Sequence, residues 1–221
     1  MLERTNMDAI RALAKSFLDM KVEYKCGIAK HPFNVIGEEG TPVFEQWKSD
    51  VLRAIDSIKD VDMIMFMIRP SWHMMFLHQA RPYLSKKDFA ECFADAFIEG
   101  ENPTLGSGLS VDDLVDMFKV CGQARLMEKE DKKVYKALPN TVAIYRGILV
   151  DDEKHLMSLS WTLLPAVAEV FASRLTGQGK IYTAIVEKKN ILAYFGGRGE
   201  AEVIVDPKSL KSITLYKDLS V

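Results

Sequence analysis

Hydrophobic positions step by threes and fours through the first part of the chain and by twos through the last. Phe44, Trp47, Val51, Leu52, Ile55 and Ile58 make one apolar stripe, the pattern of a helix with a single buried face. Ser85-Lys86-Lys87-Asp88 reads as a helix start, in which a hydroxyl and a carboxylate satisfy free backbone N–H groups; Phe89, Phe93, Ala96 and Phe97 follow on one face. Ser110-Val111-Asp112-Asp113 repeats that signal ahead of Leu114, Met117, Phe118 and Cys121, and the turn-rich GENPTLGSGL (100–109) lies between the two. After Leu138-Pro139-Asn140 the period falls to two. TVAIYRGILV, HLMSLS, KIYTAIVEK, NILAYF, AEVIV and SITLYK read as short strands, interrupted by one helix, LLPAVAEVFASRL, with Pro165 suited to its first turn. The expectation is an α+β fold: an N-terminal helical lobe over residues 1–135 and a mixed β lobe over 136–221. The β lobe is small enough to need helices over one of its faces.

Composition narrows this picture. Of 221 residues, 48% are hydrophobic and 27% charged, which suits an ordinary globular core. A formal charge of −2 supplies no global field toward nucleic acid or anionic lipid. Cys26, Cys92 and Cys121 lie far apart without a CxxC, which argues against a zinc ribbon, a redox pair or a disulfide framework. The first twenty residues have no continuous apolar core of a signal peptide, and VDMIMFMI (61–68) is too short to span a bilayer. The expected setting is a reducing cytoplasm. His73 and His78 sit five apart on diverging helix faces and read as core or surface rather than metal ligands. Trp47 and Trp72 read as anchors between helices, and Lys129, Lys132, Lys133 and Lys136, alternating with acids, as a solvated face.

Three patterns in the β half carry candidate chemistry. Arg146, in Tyr145-Arg146-Gly147, is flanked by the apolar strand residues Ile144, Ile148 and Leu149, so it is expected to be partly desolvated and to need an anionic partner. Gly147 lets a ligand or another backbone come close. In Ser158-Leu159-Ser160-Trp161-Thr162 the hydroxyls of Ser160 and Thr162 share one face and Trp161 takes the other. Glu200 and Glu202 open the AEVIV strand at alternate positions, so both carboxylates are expected to point the same way and to repel. Each pattern alone also has a structural reading: a satisfied strand arginine, a strand end that caps a helix, and a solvated edge that discourages aggregation.

Taken in order, the three resemble the mono-ADP-ribosyltransferases of the arginine–serine–glutamate type. The family's arginine strand is matched by Tyr145-Arg146-Gly147. Its Ser-Thr-Ser strand and following helix are matched by Ser160-Trp161-Thr162 and Ala168-Glu169-Val170-Phe171-Ala172, and its Glu-x-Glu pair by Glu200-Ala201-Glu202. The likeness covers about the last eighty residues, with the N-terminal helices standing for the family's helical lobe. The chain departs from the pattern at Trp161 and Thr162, and in having only residues 147–159 between the arginine and the serine, where many members carry a longer helical insertion.

The resemblance implies NAD as co-substrate, no metal, and a macromolecular acceptor, most often a protein arginine. Arg146, Gly147, Ser160, Trp161, Thr162 and Phe171 would line the NAD site. Glu202 would stand beside the ribose, where positive charge develops as the nicotinamide bond breaks, as in glycoside cleavage. Loss of such a contact costs about 3–4 kcal/mol. Arg146 would hold the pyrophosphate or nearby ribose through its planar fork of donors, and Ser160 would brace the NAD-binding strand and hydrogen-bond a ribose or Glu202. Glu200 would orient or deprotonate the acceptor, with like-charge crowding raising one of the two carboxyls. Phe195, at the tip of the glycine-rich turn, and Arg198 would face the acceptor. Two alternatives remain beside this one: an NAD glycohydrolase, and a non-catalytic NAD-binding or interaction protein on the same fold.

Overall fold

The computed structural model describes residues 2–20, 31–100, 108–149, 153–174 and 177–219. Cys26 and residues 101–107 of the turn-rich loop lie outside them. The chain divides into two compact units, Met1–Ser110 and Val111–Val221.

The first unit is helical, with α1 (Met7–Leu18), α2 (Pro42–Ser57), α3 (Val61–Met67), α4 (Pro70–Ala80) and α5 (Lys86–Glu99). Side-chain caps mark four of their starts. Asn6, Thr41, Asp60 and Ser85 each accept from a backbone N–H three residues on. Phe17 of α1, Phe76 of α4 and Phe89 and Phe93 of α5 are fully buried, each contributing about 1.5–3 kcal/mol relative to exposure. Phe17 meets Phe76 edge to face at 5.2 Å. His73 is buried and donates from Nε2 to the carbonyls of Met65 and Ile68 at 2.9 and 2.8 Å, closing the end of α3. Among the described residues, no helix is long and apolar enough to cross a membrane.

The second unit begins with α6 (Val111–Cys121), α7 (Gln123–Leu126) and α8 (Lys129–Ala137). Their helical period places them with the N-terminal lobe, yet side chains tie them to the sheet. Lys119 pairs with Asp206 at 3.0 Å, Lys208 with Asp112 at 2.6 Å, and the Gln123 amide donates to the Ile191 carbonyl. The boundary between compact units therefore falls at 110/111 rather than at the change of period near 135.

The sheet has six antiparallel strands in the order β4-β5-β2-β1-β3-β6: β1 (Thr141–Leu149), β2 (Ser160–Thr162), β3 (Gly179–Glu187), β4 (Ile191–Phe195), β5 (Glu202–Val205) and β6 (Lys211–Asp218). The fold is thus α+β. The HLMSLS stretch does not form the strand its alternation suggests. Glu153–Leu156 is a 3-10 turn, and only the last residue of the stretch enters β2. Its carbonyls find other donors: His155 and Ser160 accept from the Arg146 side chain, and Leu159 from the Val205 N–H.

One more helix, α9 (Pro165–Ser173), lies over β1 and β3. Ala168, Ala172 and Ile181 form the core beneath it, with Tyr145 and Leu219 packed alongside. The helix lies so close that a Cβ on Gly147 would stand 1.9 Å from the Ala168 carbonyl oxygen, and one on Gly179 would stand 2.1 Å from that of Ala172.

Candidate functional site

The ladders put Tyr145, Thr162, Glu202 and Phe195 in one row across four strands. β1 and β2 share a single rung, Tyr145–Thr162. Arg146 is the next residue along β1, where the two strands part. Its Nε donates to the His155 carbonyl at 2.8 Å and its Nη1 to that of Ser160. A side chain takes over here from the backbone ladder. The same guanidinium is close enough for its charge to act on Glu202. Three residues from three neighbouring strands are thereby brought together: Arg146, Ser160 and Glu202.

Glu202 begins β5, with its side chain 14% exposed. Burial pushes its carboxyl above the ordinary 4.5, because a charge there has lost water. A hydrogen bond from Ser160 and the charge of Arg198 pull it back down; Glu200 pushes it up and Arg146 pulls it down by lesser amounts. Crowding by a like charge was expected to raise one carboxyl of the pair. Burial comes first instead.

Glu200 does not share a strand with Glu202. Ala201 between them has φ 46°, in the left-handed region that disfavours a residue with a Cβ. Two hydrogen bonds hold that bend: Thr162 Oγ1 donates to the Glu200 carbonyl at 2.6 Å, and Leu163 N–H to that of Ala201 at 3.1 Å. Simple alternation therefore does not set the direction of Glu200, although its charge still pushes the Glu202 carboxyl up. Arg198 Nη2 lies 3.1 Å from Glu200 Oε2 and 3.9 Å from Glu202 Oε2, one cation serving two anions.

Several residues assigned to the NAD site have other work. Gly147 makes room for the backbone of α9, so the close approach is that of a helix rather than a ligand. Trp161 is 2% exposed and its indole N–H donates to the Ser158 carbonyl at 3.1 Å, which leaves it no face for a cofactor. Thr162 is buried; besides donating to Glu200 it accepts from the Leu164 N–H at 3.0 Å, so it braces the chain at the start of α9. Phe171 belongs to α9, which covers the face of β1 that carries Gly147; Arg146, one residue earlier, takes the other face. The Phe171 ring carries the Arg174 guanidinium 5.2 Å from its centroid. Phe195 is 5% exposed and paired with Glu202, so it is a wall of the row and not the tip of the turn.

One contributor gives no sign in the sequence. Asp131, in the charged run of α8, accepts from the Gly196 N–H at 3.1 Å and anchors the base of the turn that bears Arg198 and Glu200. Burial raises its carboxyl, partly offset by that hydrogen bond. A run of alternating charges reads as solvated whichever acid turns inward, so no local pattern marks it. A separate depression of about 470 Å³, lined by Tyr135, Asn140, Glu187, Lys188 and Lys189, opens at the far end of β1 from Arg146. Lys188 there already donates to the carbonyls of Lys136 and Leu138.

Chemically, the cluster offers a largely buried carboxylate steadied by a hydroxyl, a planar cation beside it, and a second carboxylate reached through a half-exposed arginine. Such a carboxylate suits a cationic transition state, and a guanidinium suits a phosphate. No protein-family model matches this chain, and neither a curated protein nor a solved structure matches it.

Proposed function

We propose that the protein is an NAD-dependent mono-ADP-ribosyltransferase, which transfers ADP-ribose to a macromolecular acceptor, a protein arginine by the family's pattern, and releases nicotinamide. The observation that carries this reading is the meeting of Arg146, Ser160 and Glu202 at the parting of β1 and β2, where the buried Glu202 carboxyl is pulled down by Ser160 and by the charges of Arg198 and Arg146. In this reading Glu202 stabilises the charge that develops on the ribose as the bond to nicotinamide breaks. Ser160 fixes the direction of that carboxylate. Arg146 orients the dinucleotide through its phosphates, while Glu200 meets the acceptor.

A second reading, NAD glycohydrolase, is favoured by one contact: Arg198 already engages Glu200, which leaves water as the available acceptor. Purified protein incubated with adenylate-labelled NAD and a cell lysate separates the two. Transfer puts label on a lysate protein and releases nicotinamide, and both are lost in Glu202→Ala. Glu200→Ala abolishes the labelling while nicotinamide release persists. Nicotinamide release without labelling favours the hydrolase, and no release by the wild type removes both readings.

A further inference from the structure

We propose that β6 is an interface between two copies of this chain. It pairs antiparallel with the β6 of the second copy about a two-fold axis at Thr214, so that two six-stranded sheets run on as one. β6 ends the sheet, with β3 on one side and, among the described residues, no strand on the other. Its open edge of eight residues offers backbone donors and acceptors to any strand that arrives. Proteins usually blunt such an edge with lysines, proline or bulges. Here the middle of the strand, Ser212-Ile213-Thr214-Leu215-Tyr216, holds no charge and no proline. Leu215 and Tyr216 are each 52% exposed. The lysines on either side are turned to acids of their own chain: Lys211 lies 2.6 Å from Glu187 and Lys217 lies 2.9 Å from Glu169. A second strand therefore meets ion pairs rather than bare positive charges.

Side chains fix the register. Partners across an antiparallel ladder share a face, so a two-fold axis sets one residue opposite itself. Thr214 opposite Thr214 places Ile213 opposite Leu215 on each side of the axis, and Ser212 opposite Tyr216. Moving the axis to Ile213 would set Lys211 against Leu215, and moving it to Leu215 would set Lys217 against Ile213. The irregularities of β6 fit the same axis. Against β3 the strand carries one extra residue, Tyr216, between Leu215 and Lys217, and another between Lys211 and Thr214, where Ser212 has φ 54°. Ser212 and Tyr216 stand at equal distances on either side of Thr214, so a bulge of one copy meets a bulge of the other rather than a regular rung. Nothing in this pairing depends on the chemistry at Glu202.

The test follows the mass of the full chain by sedimentation equilibrium from about 1 μM to about 1 mM, a range that covers the weak affinity of a small interface. The expected result is a reversible rise toward twice the monomer mass. Leu215→Lys puts a charge at both symmetric contacts and should weaken the dimer by about tenfold or more. Its melting curve should match the wild type, because the side chain is half exposed in the monomer. Cys92 and Cys121 are buried, so Thr214→Cys is made in a Cys26→Ser background and oxidised with copper phenanthroline. It should form a disulfide-linked dimer, since directly opposite residues lie within reach of a disulfide. Ser212→Cys should not, because its counterpart lies about 13 Å away along the ladder. Monomer at every concentration overturns the proposal, as does a dimer that Leu215→Lys leaves intact. Cross-linking through Ser212→Cys, or none through Thr214→Cys, overturns the axis at Thr214.

Discussion

Ser160 hydrogen-bonds the Glu202 carboxyl diagonally across two neighbouring strands, while the ladder pairs Ser160 with Ile204 and Glu202 with Thr162. Diagonal neighbours in an antiparallel pair lie farther apart than direct ones, so only a long side chain such as glutamate closes the gap. That hydroxyl pulls the Glu202 carboxyl down against the opposing effect of its burial.

Glu202→Gln keeps the shape and removes the charge. Nicotinamide release should fall by about 10²–10³-fold, the usual cost of losing one preorganised electrostatic contact to a transition state. The rate is measured with saturating NAD on protein whose melting curve shows it folded. An unchanged rate would remove Glu202 from the chemistry.

Glu202 also makes stability depend on pH. Its folded pKa lies above the ordinary 4.5, with burial the first cause. The folded chain therefore keeps a proton that the unfolded chain has released, and the stability this group adds is full below 4.5 and lost as pH rises through the folded value. Thermal melts of wild type and Glu202→Gln between about pH 4 and about pH 8 should show the variant gaining on the wild type as pH rises. A variant that loses ground to the wild type as pH rises would mean that the cations, not burial, dominate.

Gly147→Ala should cost about 3 kcal/mol or more, because the new methyl meets helix backbone that no rotamer change can move. Gly197→Ala, where a Cβ meets nothing within 4 Å, should stay within about 0.5 kcal/mol. Urea midpoints of the two variants make the comparison. Equal effects would contradict the close approach of α9.

Arg146→Lys keeps the charge but loses the planar fork that binds the His155 and Ser160 carbonyls together. The expected loss is about 1.5–3 kcal/mol, read from urea unfolding. NAD affinity by calorimetry should weaken about tenfold or more. Wild-type stability in the lysine variant would show that the two carbonyl contacts contribute nothing.

Asp131→Ala removes the acceptor of the Gly196 N–H and should cost about 1 kcal/mol, with faster hydrogen exchange at that amide. Asp131→Asn keeps an acceptor oxygen and should retain most of the protection. Equal exchange in wild type and Asp131→Ala would mean that the turn is held by other contacts.

Most elements were legible because each has its own local period. The stripe from Phe44 to Ile58 corresponds to α2, and KIYTAIVEK and NILAYF to β3 and β4. Alternation misled at 155–160, where an arginine from β1 supplies the donors that a strand partner would supply. It misled again at Glu200, because the left-handed Ala201 is held by Thr162 and Leu163, which are distant in sequence. In the site, the meeting of Arg146, Ser160 and Glu202 was implied by the family resemblance that their motifs carry, not by any local period. The burial of Trp161, set between the hydroxyls of Ser160 and Thr162, and of Phe195, next to a glycine turn, could not be read in this way. The inward turn of Asp131 is likewise a tertiary contact with no local signal.

The seat of α9 bears on what a short motif can report. Tyr145 packs against the core under that helix and Gly147 gives way to its backbone, so two of the three letters in Tyr-Arg-Gly answer to architecture. A sequence sharing the tyrosine and glycine but lacking the arginine would declare the same helix-on-sheet joint while saying nothing about catalysis. The arginine has a structural duty of its own, joining the His155 and Ser160 carbonyls, so any kinship inferred from such a triplet should be weighed letter by letter.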